Sequence, residues 1–398
     1  METLDHSSVE KTNNIDKVDI TQHEIEALKI RFNLADAHTH QSQSKKQQEI
    51  VSSLPELWYL SEEKTQYQCE QDFIDVFYRF HGQNTALARR EDIYLVYAAS
   101  IGMHITATYL KKYNLSVGLI EPCFDNLHDL MKHMKIPMSP LKESLFSDIN
   151  KVYQNLMQHA ITVDAIVLVD PNNPTGFSIF NGSDEAFLEV VRFCVYFNKT
   201  LILDFSFSAF IKASGGERYD IYAILENSGV SYIAMEDTGK TWPLQDAKVS
   251  TILPSKDLVP EIYPIVTSVL LNVSPFVLNL VTEYVKASEE DNFQSVSSLL
   301  NRNRDIVKQM LAGTLLKYIE PQTKTSVAWF EITDPTIHAD ELHEHLRQYG
   351  VYVLSGRYFY WHNPRQGQRY IRLALARDTD VFTESVKAIK EGLSHYEK

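Results

Sequence analysis

The chain predicts an α/β fold with a mostly parallel central sheet and a smaller α+β unit toward its C-terminal end. Three observations carry this. Between residues 93 and 253, short strand-like runs alternate with helical patterns. Those runs, AIVLV at 165–169 and LILD at 201–204 among them, are continuously apolar, as strands covered on both faces are. Beyond about residue 286 the alternation loses its regularity, which marks a separate unit.

Taken in order, residues 1–18 read as a disordered or mobile tail. The pattern Thr21-x-x-Glu24 is an N-terminal capping box and opens an amphipathic helix running to about Phe32. The polar stretch 34–49 reads as a loop, and helical periodicity returns around 72–81. Strands follow at 93–98, 117–121, 165–169, 201–204, 231–236 and 249–253, with helices at 101–112, 126–133 and 185–197 between them. Residues 268–288 read as one long helix kinked at Ser274-Pro275. Helices at 293–312, 339–349 and 380–394 and strands at 327–332 and 370–374 complete the chain. The expected division is a lid and loop at 1–65, a large domain at 66–285 and a small domain at 286–398.

Bulk properties bound the function. The 398 residues carry a net charge of −14, which argues against nucleic acid and anionic membranes as partners and leans toward a cationic ligand. Three widely spaced cysteines give neither a disulfide framework nor a metal-ligand pair, so no metal site is expected. The first twenty residues lack the apolar core of a signal peptide, and no apolar run approaches the ~20 residues that span a bilayer. A cytoplasmic protein is the expectation.

Chemistry concentrates at strand ends. A strand at 231–236 delivers Lys240 on a Thr-Gly turn, where a partly desolvated amine can act as a nucleophile. After the strand at 165–169 comes VDPNNPTGF, whose Asn-Pro and Thr-Gly steps make a rigid turn that fixes Asn173 at the strand's carboxyl end, where α/β sheets bind ligands. Asp204 ends the aliphatic strand LILD, a poor place for an unpaired carboxylate. Ser100 and Ile101 open a helix whose free N–H groups suit a phosphate. Arg372 lies inside the apolar run YIRLALA and needs a carboxylate partner if buried.

With these motifs the chain, over about residues 90–395, resembles the fold-type-I pyridoxal-phosphate (PLP) enzymes, the aspartate aminotransferase-like class I/II group. The resemblance implies that Lys240 carries PLP. It further implies that Asn173 hydrogen-bonds the pyridoxal O3′, Asp204 pairs with the pyridinium N–H and Phe124 stacks on the ring. Ser100, Ile101 and Lys248 would hold the phosphate, Arg372 the substrate α-carboxylate, and a second subunit would complete a homodimer. Two positions depart from the family: Asp170 replaces an Asn, and Phe207 stands where a Tyr is usual. The family's Gly and Leu-Arg segment is not evident around 58–72.

Asp237 stands where the family has a small hydroxyl residue near the phosphate. A carboxylate there would be repelled by phosphate and suits a cationic substrate side chain instead. Together with TQHE, DAH and EPCFDN, the stretch EDTGKTWP resembles a narrower group: the PLP-dependent, oxygen-using L-arginine oxidases and hydroxylases of enduracididine and indolmycin biosynthesis. That resemblance implies an N-terminal lid helix, a guanidinium held by Thr21, Glu24, Asp36 and Asp237, and His38 handling protons or water at the side-chain carbons. The implied reaction feeds electrons from a quinonoid intermediate to molecular oxygen, giving dehydroarginine, 2-oxo or 4-hydroxy-2-oxo products with peroxide and ammonia. The alternatives are a conventional aminotransferase of a basic amino acid, a PLP lyase or cyclase acting on a modified arginine, and a degenerate PLP-binding regulatory domain.

Overall fold

The computed structural model describes residues 19–396, so the expectation for residues 1–18 lies outside the described region. A seven-stranded sheet organises the molecule. Its strands are β1 (Tyr94–Val96), β2 (Val117–Glu121), β3 (Met138–Lys142), β4 (Ala165–Val169), β5 (Thr200–Phe205), β6 (Tyr232–Asp237) and β7 (Ser250–Pro254). They lie in the order β1-β7-β6-β5-β4-β2-β3. Only β7 runs against its two neighbours, and every other pair is parallel. Every residue of β2, β4, β5, β6 and β7 is buried, which is why these strands read as unbroken apolar runs. Parallelism puts the carboxyl ends of β1, β2, β4, β5 and β6 along one edge, and their loops share one cleft.

The smaller sheet is antiparallel throughout and contains β8 (Leu316–Ile319), β9 (Val327–Ile332), β10 (Leu354–Ser355) and β11 (Tyr370–Ala374), in the order β10-β11-β9-β8. Its register sets Arg372 opposite Trp329 and Leu354. Helices Gln294–Met310, Ala339–Arg347 and Thr379–Tyr396 accompany it. The aspartate aminotransferase-like α/β fold expected from the sequence is the fold observed.

Local differences have identifiable causes. The first helix, α1, spans Ile20–Ala27 and is capped by Asp19, whose side chain accepts from the Gln22 N–H at 2.7 Å. The Thr21-x-x-Glu24 box therefore does not form. The helix stops short of Phe32 because Phe32–Asn33 pair as a strand with Val351–Tyr352. The stretch read as a loop at 34–49 turns helical at Lys45–Ser52, where Ser44 and Gln47 form a capping box. Helix Leu54–Glu63 was not expected, and the next helix begins at Gln66, under a Thr65–Gln68 box. The single helix expected at 268–288 is two, Val259–Val269 and Pro275–Glu290. Ser274 caps the second and Pro275 opens it, as a proline lacking an N–H can. Strands β3, β8 and β10 and helices Val152–His159 and Ile221–Ser228 also went unread.

Candidate active site

Asp237 is the last residue of β6. The turn beyond it is pinned to the start of β7: Thr238 and Val249 exchange bonds at 3.0, 2.9 and 2.8 Å through the Thr238 N–H and hydroxyl. A Cβ at Gly239 would stand 2.7 Å from Lys248 Cδ, so a larger residue there would push the Lys248 side chain aside. The turn brings Lys240 and Lys248 to the mouth of one cavity of about 240 Å³. Lys240 Nζ lies 2.9 Å from His38 Nε2 and 5.9 Å from the centre of the Phe124 ring. Lys248 Nζ lies 3.4 Å from the same His38 nitrogen and 3.1 Å from Asp246 Oδ1.

Residues at four other strand ends also line the cavity. Asp204, near the end of β5, is buried, and its Oδ1 accepts from the Ser206 N–H at 2.9 Å and from the Ser206 hydroxyl. Burial, with the nearby charges of Asp237 and Glu236, still pushes this carboxyl above its ordinary range despite those bonds. Asn173 lines the cavity beside it. Its turn is braced by Asn172, which donates to Pro122 O at 2.7 Å and to Glu143 Oε1 at 2.6 Å. Phe124 precedes helix α3 (Asp125–His133), and Ala98, Ala99 and Ser100 open helix α2 (Ala99–Lys112) onto the same space. Ile101 is a correction: its N–H already donates to Ala98 O at 3.0 Å and it does not line the cavity. Phe207 lines it as a bare ring.

Helix α1 covers the opening. The imidazole of His23 bridges the hydroxyls of Tyr352 and Tyr358, each at 2.7 Å, and the Thr21 N–H donates to Asp125 Oδ2 at 2.9 Å. Thr21 and Glu24 thereby reach the cavity. Glu24 Oε1 accepts from Arg372 Nη2 at 3.1 Å, and Arg372 also donates to Asn173 Oδ1 at 3.2 Å and to Ala35 O. Glu24, expected at a guanidinium, is paired here with Arg372. Asp36, expected at the same group, has its two oxygens facing His38 Nδ1 at 2.5 Å and His40 Nε2 at 2.6 Å. Asp237 differs from both. It is buried, burial raises its carboxyl despite Lys240 and Lys248 nearby, and its Oδ1 has no hydrogen-bond partner among the described residues.

Sequence reasoning missed Arg377. It is buried and donates to the carbonyls of Asn33, Asp36 and His38 at 2.7, 2.6 and 3.0 Å, tying the loop of His38 to the end of β11. Burial brings its guanidinium down to about 10. An arginine directly after the apolar run LALA was the available signal. His40 and Asp125 were also missed, although DAHTH and EPCFD contain them.

The sequence profile described as Aminotransferase class I and II matches residues 66–389. The chain belongs to that family. Among solved structures, it is similar to "MppP soaked with the product 2-ketoarginine", at 28% identity and a TM-score of 0.82, over 90% of this chain and 99% of that one. It is also similar to LysN, an α-aminoadipate aminotransferase from Thermus thermophilus, at 13% identity and a TM-score of 0.74, over 95% of each chain. The histidinol-phosphate aminotransferase of Clostridium acetobutylicum matches at 15% identity and a TM-score of 0.66, over 90% of this chain and 99% of that one. These last two speak for the fold alone. No curated protein sequence matches the chain.

The family's cofactor fits the residues present. A buried carboxyl held above its ordinary range at Asp204 suits a cationic ring nitrogen, and a lysine amine opens into a cavity roofed by Phe124. The protein is a PLP-dependent enzyme of the aminotransferase fold. Among the described residues, no helix is long and apolar enough to cross a membrane.

Proposed function

We propose that the enzyme oxidises free L-arginine with molecular oxygen. The observation that carries this is Asp237: a buried carboxylate facing the cavity, three residues from Lys240, with one oxygen unpartnered among the described residues. A neutral or acidic substrate side chain would leave that oxygen unmatched, whereas a guanidinium offers it a donor and a charge. The similar structure soaked with 2-ketoarginine supports the same substrate class.

Lys240 would hold the cofactor and Asp204 would keep a proton on its ring nitrogen. Asn173 would meet O3′, Phe124 the ring face, and Ser100 with Lys248 the phosphate; all four line the one cavity. Pyridoxal phosphate, when bound, supplies a sink for the electron pair released at the substrate Cα. Lys240 Nζ would take the Cα proton, and His38 Nε2, 2.9 Å away, would be close enough to relay it. Arg372 would bind the α-carboxylate in place of Glu24, which would then turn with Thr21 and Asp237 toward the guanidinium, while Asp36 stays on His38 and His40. Helix α1 excludes water over these steps. In the two-electron reaction, arginine loses two electrons and two protons to oxygen, giving hydrogen peroxide, and water replaces the amino group, which leaves as ammonia. A second two-electron oxidation by another molecule of oxygen would lead to the desaturated or 4-hydroxy-2-oxo products, and placement of water near His38 would decide between these two. Exposed Trp58, Tyr59 and Leu271 support a homodimer.

Family membership favours one competing reading, amino transfer from a basic amino acid. Oxygen-electrode traces with arginine, with and without a 2-oxo acid acceptor, separate the two, with product masses alongside. Oxygen uptake without an acceptor is expected. Turnover only with an acceptor points to an aminotransferase, and oxygen-independent turnover without amino transfer points to a lyase or cyclase.

A further inference from the structure

The loop from Asn33 to His40 places two imidazoles on one carboxylate. Asp36 Oδ1 accepts from the His38 backbone N–H at 2.9 Å and faces His38 Nδ1 at 2.5 Å, while its Oδ2 faces His40 Nε2 at 2.6 Å. Burial works against the charge on Asp36, yet the two imidazole hydrogen bonds outweigh it and hold the carboxyl well below the usual carboxylate range. An ionised carboxylate only accepts hydrogen bonds, so both nitrogens that face it carry protons. In neutral His38 the proton is therefore on Nδ1, which leaves Nε2 without one; Lys240 Nζ lies over the ring, 2.9 Å from Nε2 and 3.5 Å from Nδ1.

We propose that Asp36 and His40 are positioning residues: Asp36 fixes the tautomer of His38 so that Nε2, the ring nitrogen nearer Lys240, is the one free to take a proton, and His40 holds the carboxylate that does so. A purely charge-balancing role for Asp36 fits less well. Arg377 and Arg372, the two buried arginines tied to this loop, donate to its backbone carbonyls and not to the Asp36 carboxylate. The loop itself is fixed at both ends. The Asn33 side chain accepts from the Ala35 and Asp36 N–H groups at 3.1 Å each, and the Thr39 hydroxyl donates to Trp242 O at 2.6 Å. The other groups facing His38 Nε2 are Lys248 Nζ at 3.4 Å and Asp246 Oδ1 at 3.9 Å. The proposal rests on the role given to His38 above, and its first readout does not depend on the substrate.

Holoenzyme labelled with 15N-histidine, with His38 assigned by an H38Q variant, reports the tautomer from imidazole nitrogen shifts without any amino acid present. We expect His38 as the Nδ1–H form in the wild type and as the Nε2–H form or a mixture in D36N. With arginine, D36N should lower kcat by about 100-fold or more with little change in KM. H40A should lower kcat by roughly 10-fold, and H40Q, which keeps a donor toward Asp36, should recover most of it. Wild-type His38 in the Nε2–H form overturns the proposal. So does D36N with an unchanged tautomer and only a raised KM, because Asp36 would then be a substrate contact. Absence of arginine turnover in every variant, beside the expected tautomers, overturns the substrate assignment and leaves the positioning role standing.

Discussion

Arg372 Nη2 donates to Glu24 Oε1 at 3.1 Å, joining the lid helix to the inner strand of the small sheet across 348 residues of chain. The arginine is fully buried and the glutamate nearly so. Helix α1 thus supplies Arg372 with a carboxylate. On the proposed function, binding would be an exchange: the α-carboxylate would take Arg372, and Glu24 would be released toward the cationic end.

Glu24→Gln tests that exchange. The amide keeps a hydrogen-bond acceptor but loses the charge, so the docked lid weakens and the guanidinium loses a partner. A hydrogen bond to a charged group contributes about 1.5–3 kcal/mol, so KM for arginine should rise at least about 10-fold. KM for norvaline, which has no guanidinium, should change little or fall. Trypsin should cleave faster at the exposed Lys29 and Arg31 that end the lid. Equal KM changes for the two amino acids would remove Glu24 from the cationic subsite.

Asp237→Asn should move stability and substrate binding in opposite directions. Burial raises the carboxyl of Asp237, and its Oδ1 lacks a partner among the described residues, so neutralising it relieves a desolvation penalty and should raise the melting temperature. The same change should raise KM for arginine by about 10- to 100-fold, the value of one charged hydrogen bond. A lowered melting temperature would show that Lys240 and Lys248 compensate the charge more fully than the distances suggest.

How much of this was legible in the sequence follows from where each residue sits. Lys240, Asn173 and Asp204 lie at the ends of apolar strands marked by Pro, Gly or a lone acid, and those local signals survive without tertiary information. Strand β3, MSPLK, lies at the sheet edge and is only partly buried, so it lacks the apolar run that identified its neighbours. Helix Lys45–Ser52 is almost wholly polar, and only its Ser44–Gln47 box announced it. The pairing of Glu24 with Arg372 and the gripping of the 33–38 loop by Arg377 join segments more than 330 residues apart, which no local pattern encodes.

Glu236→Gln should destabilise the fold without touching the cavity lining. Glu236 is fully buried on β6 and accepts from Arg218 Nη1 and Nη2 at 3.0 and 2.8 Å, and from the Ser208 hydroxyl at 3.0 Å. Removing one partner of a buried pair costs about 3–5 kcal/mol, because the guanidinium stays behind uncompensated. Chemical denaturation should show that loss. The double variant Arg218→Met, Glu236→Leu should recover part of it, which distinguishes stranded charge from mere misfit.

Asp125 should give the lid a pH dependence of a defined sign. Burial pushes its carboxyl up to about 7, the neighbouring Glu24, Asp129 and Asp19 add to this, and the Thr21 N–H only partly opposes it. In the unfolded chain the same group titrates near ~4. Between those values the folded protein keeps a proton that the unfolded chain has released, so stability falls as pH rises through this window. Glu143 and Asp170, each also raised to about 7 by burial, act in the same direction. Asp36, held low, contributes stability that is lost only as pH falls below ~4, outside the window. Asp125→Asn removes one of these slopes while its side-chain oxygen can still accept from the Thr21 N–H. Its melting temperature should match the wild type near pH 4, exceed it increasingly up to about pH 7 and keep that advantage above, with slower tryptic cleavage at Arg31 at the higher pH. A constant difference across that range would mean that Asp125 is already ionised in the docked state, held there by a stronger donor than the Thr21 N–H.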